Sequence, residues 1–447
     1  MANDIPSTDF ITNRRKVMAS LGALGASALA GCGGSSGGGE NNSGGSSSQS
    51  SGSESSGGTL EVLHGWTGGD GSNAIEALKQ EFKNTHPEVK TNIKAVGGSA
   101  NVSLNATVTR RLANNNPMSS FANWPGKNLQ RYEGALMDLE EDVWDANGLK
   151  DKIFDPAVEK CKFNGIMPTV PIGSHRLNNL FYNVHVFEEA GVNAEDLTDP
   201  SSLVDALEKI QKNTDAVGMA QAMKAPFTNL QLFTEILMGQ AGVKSYMNFI
   251  NGNPNRSDIA DALETEKTIL ENYINNDSSS INYTTANSKV MSGKAGCIHE
   301  GNWMYGMYRA DESFKYKEDW DWIPFPGTEG LYVFHLDSFI ATANNPSPDT
   351  TKTWEKFVGS KKAQVTFNNP KGSVPPRNDI DPEKLTPFLK MTYKDLLSAD
   401  QLPPTTAHGL AVSPKTLGDL KSAFGNDFMG PFHVDKTADA LVSAVSS

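Results

Sequence analysis

The chain has 447 residues, with 52 Asp and Glu against 39 Lys and Arg, for a net charge of -13. That balance argues against a nucleic-acid partner, which requires a basic face, and it suits a protein kept soluble by self-repulsion, in a saline medium among others. A hydrophobic share of 38% allows two lobes once the N-terminal tail is set aside, and three cysteines are too few for a disulfide framework.

Arg14 and Arg15 are followed by Lys16 and an apolar run from Val17 to Ala30, too short to cross a hydrocarbon core of roughly 30 Å as a helix. A charged start, a short apolar stretch and small residues at its end read as an export signal over residues 1–31. The paired arginines fit the twin-arginine route. The run closes on Leu29-Ala30-Gly31-Cys32, which resembles a lipobox. That resemblance implies cleavage before Cys32 and a lipid on its sulfur. Residues 32–58 are then a lipid-anchored tether. They are almost entirely Gly and Ser, a composition that buries too little apolar surface to order itself and that reaches roughly 30 Å as a coil.

Globular patterning begins at Thr59. Leu60 to His64 reads as a first strand, and Gly68, Gly69 and Gly71 as a loop, with Ser72 or Asn73 capping the next helix. Ile75, Leu78 and Phe82 mark one face of that helix and His86-Pro87 its end. Val89 to Ala95 alternates as a second strand, and Leu104, Val108 and Leu112 form another helical stripe. Further strands are expected over Gly165–Val170, Leu180–Asn183 and Lys294–Ile298. Helices are expected around Leu203–Ile210, capped by Ser201 or Ser202, and over Phe227–Gly239. Alternating strands and helices imply an α/β body with a largely parallel sheet. Cys161 and Cys297 either pair in an oxidising compartment or remain buried thiols.

These segments together resemble the family-1 extracellular sugar-binding proteins of ABC importers. The residues that carry the resemblance are Leu60–Gly71, the helix through Phe82 with His86-Pro87-Glu88-Val89, Val170-Pro171, Leu180-Phe181-Tyr182-Asn183, and Met291-Ser292-Gly293-Lys294-Ala295-Gly296 with Gly301-Asn302-Trp303. Among members, Gly97-Gly98, Asp337-Ser338-Phe339, Lys371-Gly372-Ser373 and His408-Gly409 are similar to the glucose- or mannose-type binders. The resemblance implies a two-lobe α/β fold of the periplasmic-binding-protein kind, with the ligand in the cleft. Residues 59–165 with 298–343 are expected to form one lobe, and 166–297 with 344–447 the other.

A sugar offers hydroxyls around an apolar ring face, so its site calls for planar aromatics and hydrogen-bonding side chains. Trp66 and Asp70 stand just beyond the first strand, where open α/β sheets bind ligands. The resemblance adds Trp124, in a turn where relatives carry a polar residue, and His175, with Arg176 as the alternative holder of the crossover. It also adds Phe227, Asn302, Trp303, Asp337, His408 and, more remotely, Arg377. Asn302 stands where relatives often have Asp, which points to a weaker grip on glucose or a different sugar.

The Gly68-Gly69-Asp70-Gly71 turn lacks the Gly-Lys-Ser/Thr of a phosphate loop, and His299-Glu300 lacks the second His of a zinc helix. The resemblance therefore implies no catalysis, no cofactor and no metal. It implies a monomer that hands a sugar to membrane permease subunits served by a cytoplasmic ATPase. A binder of an oligosaccharide or polyol, and a secreted carbohydrate-active enzyme, are the alternatives.

Overall fold

In the computed structural model, which describes residues 58–97 and 101–447, the chain builds two sheets. The export segment, Cys32 and the tether up to residue 57 lie outside the described residues. The strands are β1 (Leu60–His64), β2 (Thr91–Ala95), β3 (Ser120–Asn123), β4 (Thr169–Arg176), β5 (Asn179–Asn183), β6 (Val217–Met219), β7 (Ala295–His299), β8 (Trp320–Pro324) and β9 (Phe334–Ala341). The first sheet runs β2-β1-β3-β9-β4 and the second β6-β7-β5-β8. Parallel pairing holds β1 to both neighbours and β6 to β7, whereas β9 and β5 run antiparallel to theirs. The body is thus a two-lobe α/β fold with one sheet in each lobe.

Local chemistry explains the main elements. The helix Gly69–Thr85 buries Ile75, Leu78 and Phe82, the stripe visible in the sequence. It starts earlier than expected: Gly68 is the N-cap without a side-chain bond, and Asp70 lies in the first turn, where a carboxylate complements the helix dipole. The helix Pro200–Asn213 is capped by Asp199, whose carboxylate accepts from Ser202 N while Ser202 Oγ accepts from Asp199 N. Ser202 is therefore the third helical residue of a capping box rather than the cap. The helix from Phe227 runs on to Ile250, broken at Gly242 by a positive φ of 81°.

Strand β4 is buried throughout and carries a bulge between Pro171 and Gly173, a place that tolerates proline because the ladder is already interrupted. Gln364 Nε2 and Asn368 Nδ2, both from the helix Lys361–Lys371, donate to the carbonyls of Pro171 and Ile172. Two residues, Leu177 and Asn178, then carry the chain from β4 into β5 of the other sheet. Arg176 secures this crossover. Its guanidinium donates to Asn178 Oδ1, Asp395 Oδ2 and Leu331 O, and lies 4.6 Å from the Trp322 ring centroid.

The sheets divide the chain differently from the expected lobes. β4 belongs with the first sheet, and β8 with the second. The helices Pro348–Val358 and Lys361–Lys371 pack on the first sheet's side, against β4 and the helix Gly69–Thr85. The reason is pairing across long sequence distance: β4 enters the first sheet through β9, some 160 residues later. Cys161 and Cys297 are buried free thiols. Among the described residues, no helix is long and apolar enough to cross a membrane.

Candidate functional site

One cavity of about 890 Å³ opens between the sheets. On the first-sheet side, the turn after β1 supplies Trp66 and leads into Asp70. The Trp66 ring packs at 5.0 Å from Phe367 and 5.8 Å from Phe339, which leaves part of the indole on the cavity. A Cβ on Gly71 would come within 2.9 Å of the Trp66 side chain, so only glycine lets the helix start that close. Trp124 follows β3 in a turn pinned by Asn123 Oδ1, which accepts from Trp124 N, and by Asn128 Nδ2, which donates to Trp124 O.

Residues two apart on a strand share a face, and so β9 presents His335 and Asp337 together. The register sets His175 of β4 opposite His335. His175 Nε2 lies 3.2 Å from Asp337 Oδ2, and His335 Nε2 lies 3.5 Å from Asp337 Oδ1. Lys371, at the end of its helix, places Nζ 2.7 Å from Asp70 Oδ2, with both side chains nearly buried. From the second lobe come Phe227, Thr228, Tyr283 and Trp303, each at or next to the first turn of a helix. His408 arrives on the segment that Tyr246 Oη anchors by donating to Pro404 O. Its ring lies 4.5 Å from His335, 4.9 Å from Trp124 and 5.6 Å from Trp303.

Burial sets the charge of this cluster. Desolvation, helped by nearby Lys371, brings His175 down to about 4; His335 and His408 are lowered too, chiefly by burial. These rings are therefore neutral, flat and partly apolar at physiological pH. Burial alone would raise Asp337, but hydrogen bonds from His175 and His335, with Lys371 nearby, hold it well below the usual carboxylate range. Burial likewise opposes the charge on Lys371, and Asp70 and Asp337 outweigh it and keep the ammonium protonated. The cavity thus has indoles and neutral imidazoles with the Asp70 and Asp337 carboxylates and the Lys371 ammonium among them, and Lys224 elsewhere in its lining, a composition that accepts from and donates to hydroxyls while covering an apolar ring face.

Of the residues singled out in the sequence, Trp66, Asp70, Trp124, His175, Phe227, Trp303, Asp337 and His408 line the cavity. Asn302 does not. It is fully buried behind His175, with Oδ1 2.7 Å from Nδ1 of that ring. Its backbone N–H donates to Arg176 O, which ties it to the end of β4 and keeps it off the cavity. Arg377 is also elsewhere, forked onto Asp379 and donating to Gly359 O. His335, Lys371 and Tyr283 line the cavity without having been singled out. His335 had a readable signal in its two-residue spacing from Asp337. Lys371 stood only within the Lys371-Gly372-Ser373 resemblance, and nothing local shows that it meets Asp70 three hundred residues away.

The family model described as "bacterial extracellular solute-binding protein" matches residues 77–394. The chain belongs to that family. Family membership makes it a binding protein rather than an enzyme. The solute-binding protein is 64% identical over 98% of its length to the xylose/arabinose-binding protein XacG of Haloferax volcanii, 99% of which is covered. It is 29% identical to an uncharacterized ABC transporter extracellular-binding protein of Pyrococcus horikoshii, over 86% of this chain and 87% of that one. Among solved structures it is similar to a chitin oligosaccharide binding protein, with a TM-score of 0.74 at 17% identity over 87% of this chain and 99% of that one. That likeness bears on the fold.

Proposed function

We propose that this protein is the substrate-binding component of an ABC importer, and that it captures an aldopentose of the xylose or arabinose kind outside the cell and passes it to the permease. The observation that carries the reading is the end-to-end likeness to the Haloferax xylose/arabinose-binding protein. The cavity supports a sugar: Trp66, Trp124 and Trp303 offer ring faces, and Asp70, Asp337 and Lys371 offer hydroxyl partners. Binding favours the closed arrangement of the lobes by the difference in affinity between closed and open forms, and the permease reads that arrangement.

Calorimetric titration of the purified full chain with D-xylose, L-arabinose, D-glucose and D-mannose tests the proposal. Binding is expected for the pentoses, with the affinity at least a hundredfold lower in Trp66→Ala. Tight binding of glucose or mannose alone would replace the pentose reading with the hexose one that the sequence resemblance implied. Silence with all four would point to an oligosaccharide or polyol.

The anchor belongs to the same reading: a lipid on Cys32 would hold the binding protein near its permease at the outer face of the membrane. Supporting it are Leu29-Ala30-Gly31-Cys32 at the end of the apolar run and the Gly/Ser stretch that follows. In cells making the full chain, the protein is expected in the membrane fraction and Cys32→Ser in the medium or the soluble fraction. Equal partitioning of the two would remove the anchor.

A further inference from the structure

His175, kept neutral by burial, has a hydrogen-bonding problem that its surroundings solve in only one way. Its ring is 1% exposed, with Nδ1 2.7 Å from the Asn302 side-chain amide and Nε2 3.2 Å from Asp337 Oδ2. A neutral imidazole has one N–H and one bare nitrogen. Facing the amide through its oxygen, the ring would meet acceptors on both sides and could satisfy only one. The amide nitrogen Nδ2 of Asn302 is at the same time fully buried without a partner, a costly state for a donor.

Both defects involve one group whose two ends are alike in shape, so its hydrogen-bond partners decide which end faces the ring. We infer that Asn302 turns its Nδ2 toward His175 and donates to Nδ1, fixing the ring as the Nε2–H tautomer that donates to Asp337. Asn302 is then a positioning residue for the sugar site, two steps removed from the ligand. It reaches the cavity through His175 and Asp337, and the inference rests on the sugar-binding reading only for what Asp337 finally holds.

The charged and titratable groups around the ring are consistent with this arrangement. Asp337 and His335 face it from β9, Lys371 from the end of its helix and His408 from the C-terminal segment. Lys371 and His335 disfavour a proton on His175, Asp337 favours one, and burial decides for the neutral ring. Trp303 packs edge-on against His175 at 5.2 Å, and the backbone of Asn302 is tied to Arg176 O and Tyr305 N. The amide therefore has no other place to go. With an amide at 302, Asp337 keeps its charge and its remaining lone pairs for hydroxyls of the ligand. A carboxylate at 302 would accept from Nδ1, favour the imidazolium and cancel the charge of Asp337 from behind.

A neutron diffraction map of the deuterium-exchanged wild-type protein reads the tautomer and the amide directly and needs neither a variant nor a sugar. Deuterium on Nε2 of His175, with the ND2 end of Asn302 facing Nδ1, is the expected result. Deuterium on Nδ1, or on both nitrogens at pH 7, overturns the inference. The second measurement is Asn302→Asp, expected to hold His175 as imidazolium at pH 7 by imidazole 15N shifts and to weaken xylose binding at least tenfold. A neutral His175 in that variant counts against the inference. Failure of the wild type to bind any pentose speaks only against the sugar assignment, because the map does not depend on it.

Discussion

Lys371 and Asp70 form the one close ion pair that the cavity shows among its described lining residues, and their energetics follow from burial. With the side chains 7% and 11% exposed and the Nζ–Oδ2 distance 2.7 Å, removal of one partner leaves the other charge nearly buried and without compensation. Breaking such a pair costs about 3–5 kcal/mol, whereas replacing both partners by neutral groups is often close to neutral. Lys371→Met is therefore expected to lose about 3 kcal/mol of unfolding free energy in urea, and Lys371→Met with Asp70→Asn to regain most of it. A single-variant loss below about 1 kcal/mol would show that water already solvates the pair. The site residues differ in how legible they were. Trp66 and Asp70 follow a strand and open a helix, a context that the sequence states locally. Lys371 and the buried place of Asn302 depend on contacts between distant segments, which no local pattern encodes.

At the scale of elements, half-exposed structure is the readable kind. The helix Gly69–Thr85 shows its core stripe because the other face is wet, and β1 was expected within the bounds found. β9 escaped notice because all eight of its residues are buried, paired with β3 and β4, and because the alternation of Phe334 to Asp337 stops at Ser338, before the apolar run Phe339 to Ala341. β3 is equally buried, and β8 is an edge strand with two tryptophans and a proline in five residues. Sheet membership is hidden in the sequence for a related reason. Periodicity tells which residues face inward, but which sheet a strand joins is set by pairing partners: β4 and β5 are separated by two residues and lie in different sheets. Arg176, offered in the sequence as the alternative to a ligand role at the crossover, holds that crossover.

For the whole molecule, buried titratable groups of opposite habit fix how stability follows pH. His64 and His175 are brought to about 4 and His299 to about 3, by burial above all. The unfolded chain takes protons on its histidines from about pH 6.5 downward while the folded one does not, so acidification toward pH 4 removes stability. Glu300 and Glu355 behave oppositely. Burial raises both to about 8, and burial also lifts Glu235 and Glu266 well above the ordinary range. Each keeps a proton when folded that the unfolded chain releases near pH 4.5, so its contribution is whole below that pH, and for Glu300 and Glu355 it is lost as pH rises through 8. The two sets leave the protein most stable in mildly acidic to neutral solution, with a decline between pH 6.5 and 8 that belongs to the glutamates. Glu300 follows β7 in the second lobe, whereas Glu355 lies under the first sheet, where its Oε1 accepts from Ser120 Oγ at 2.6 Å. Glu300→Gln and Glu355→Gln are each expected to flatten the decline by about 1.4 kcal/mol per pH unit, read from urea unfolding of the full chain at several pH values in that window. A slope unchanged in both variants would mean that these carboxyls are already ionised in the folded protein, with water or a counter-ion reaching them through the lobes.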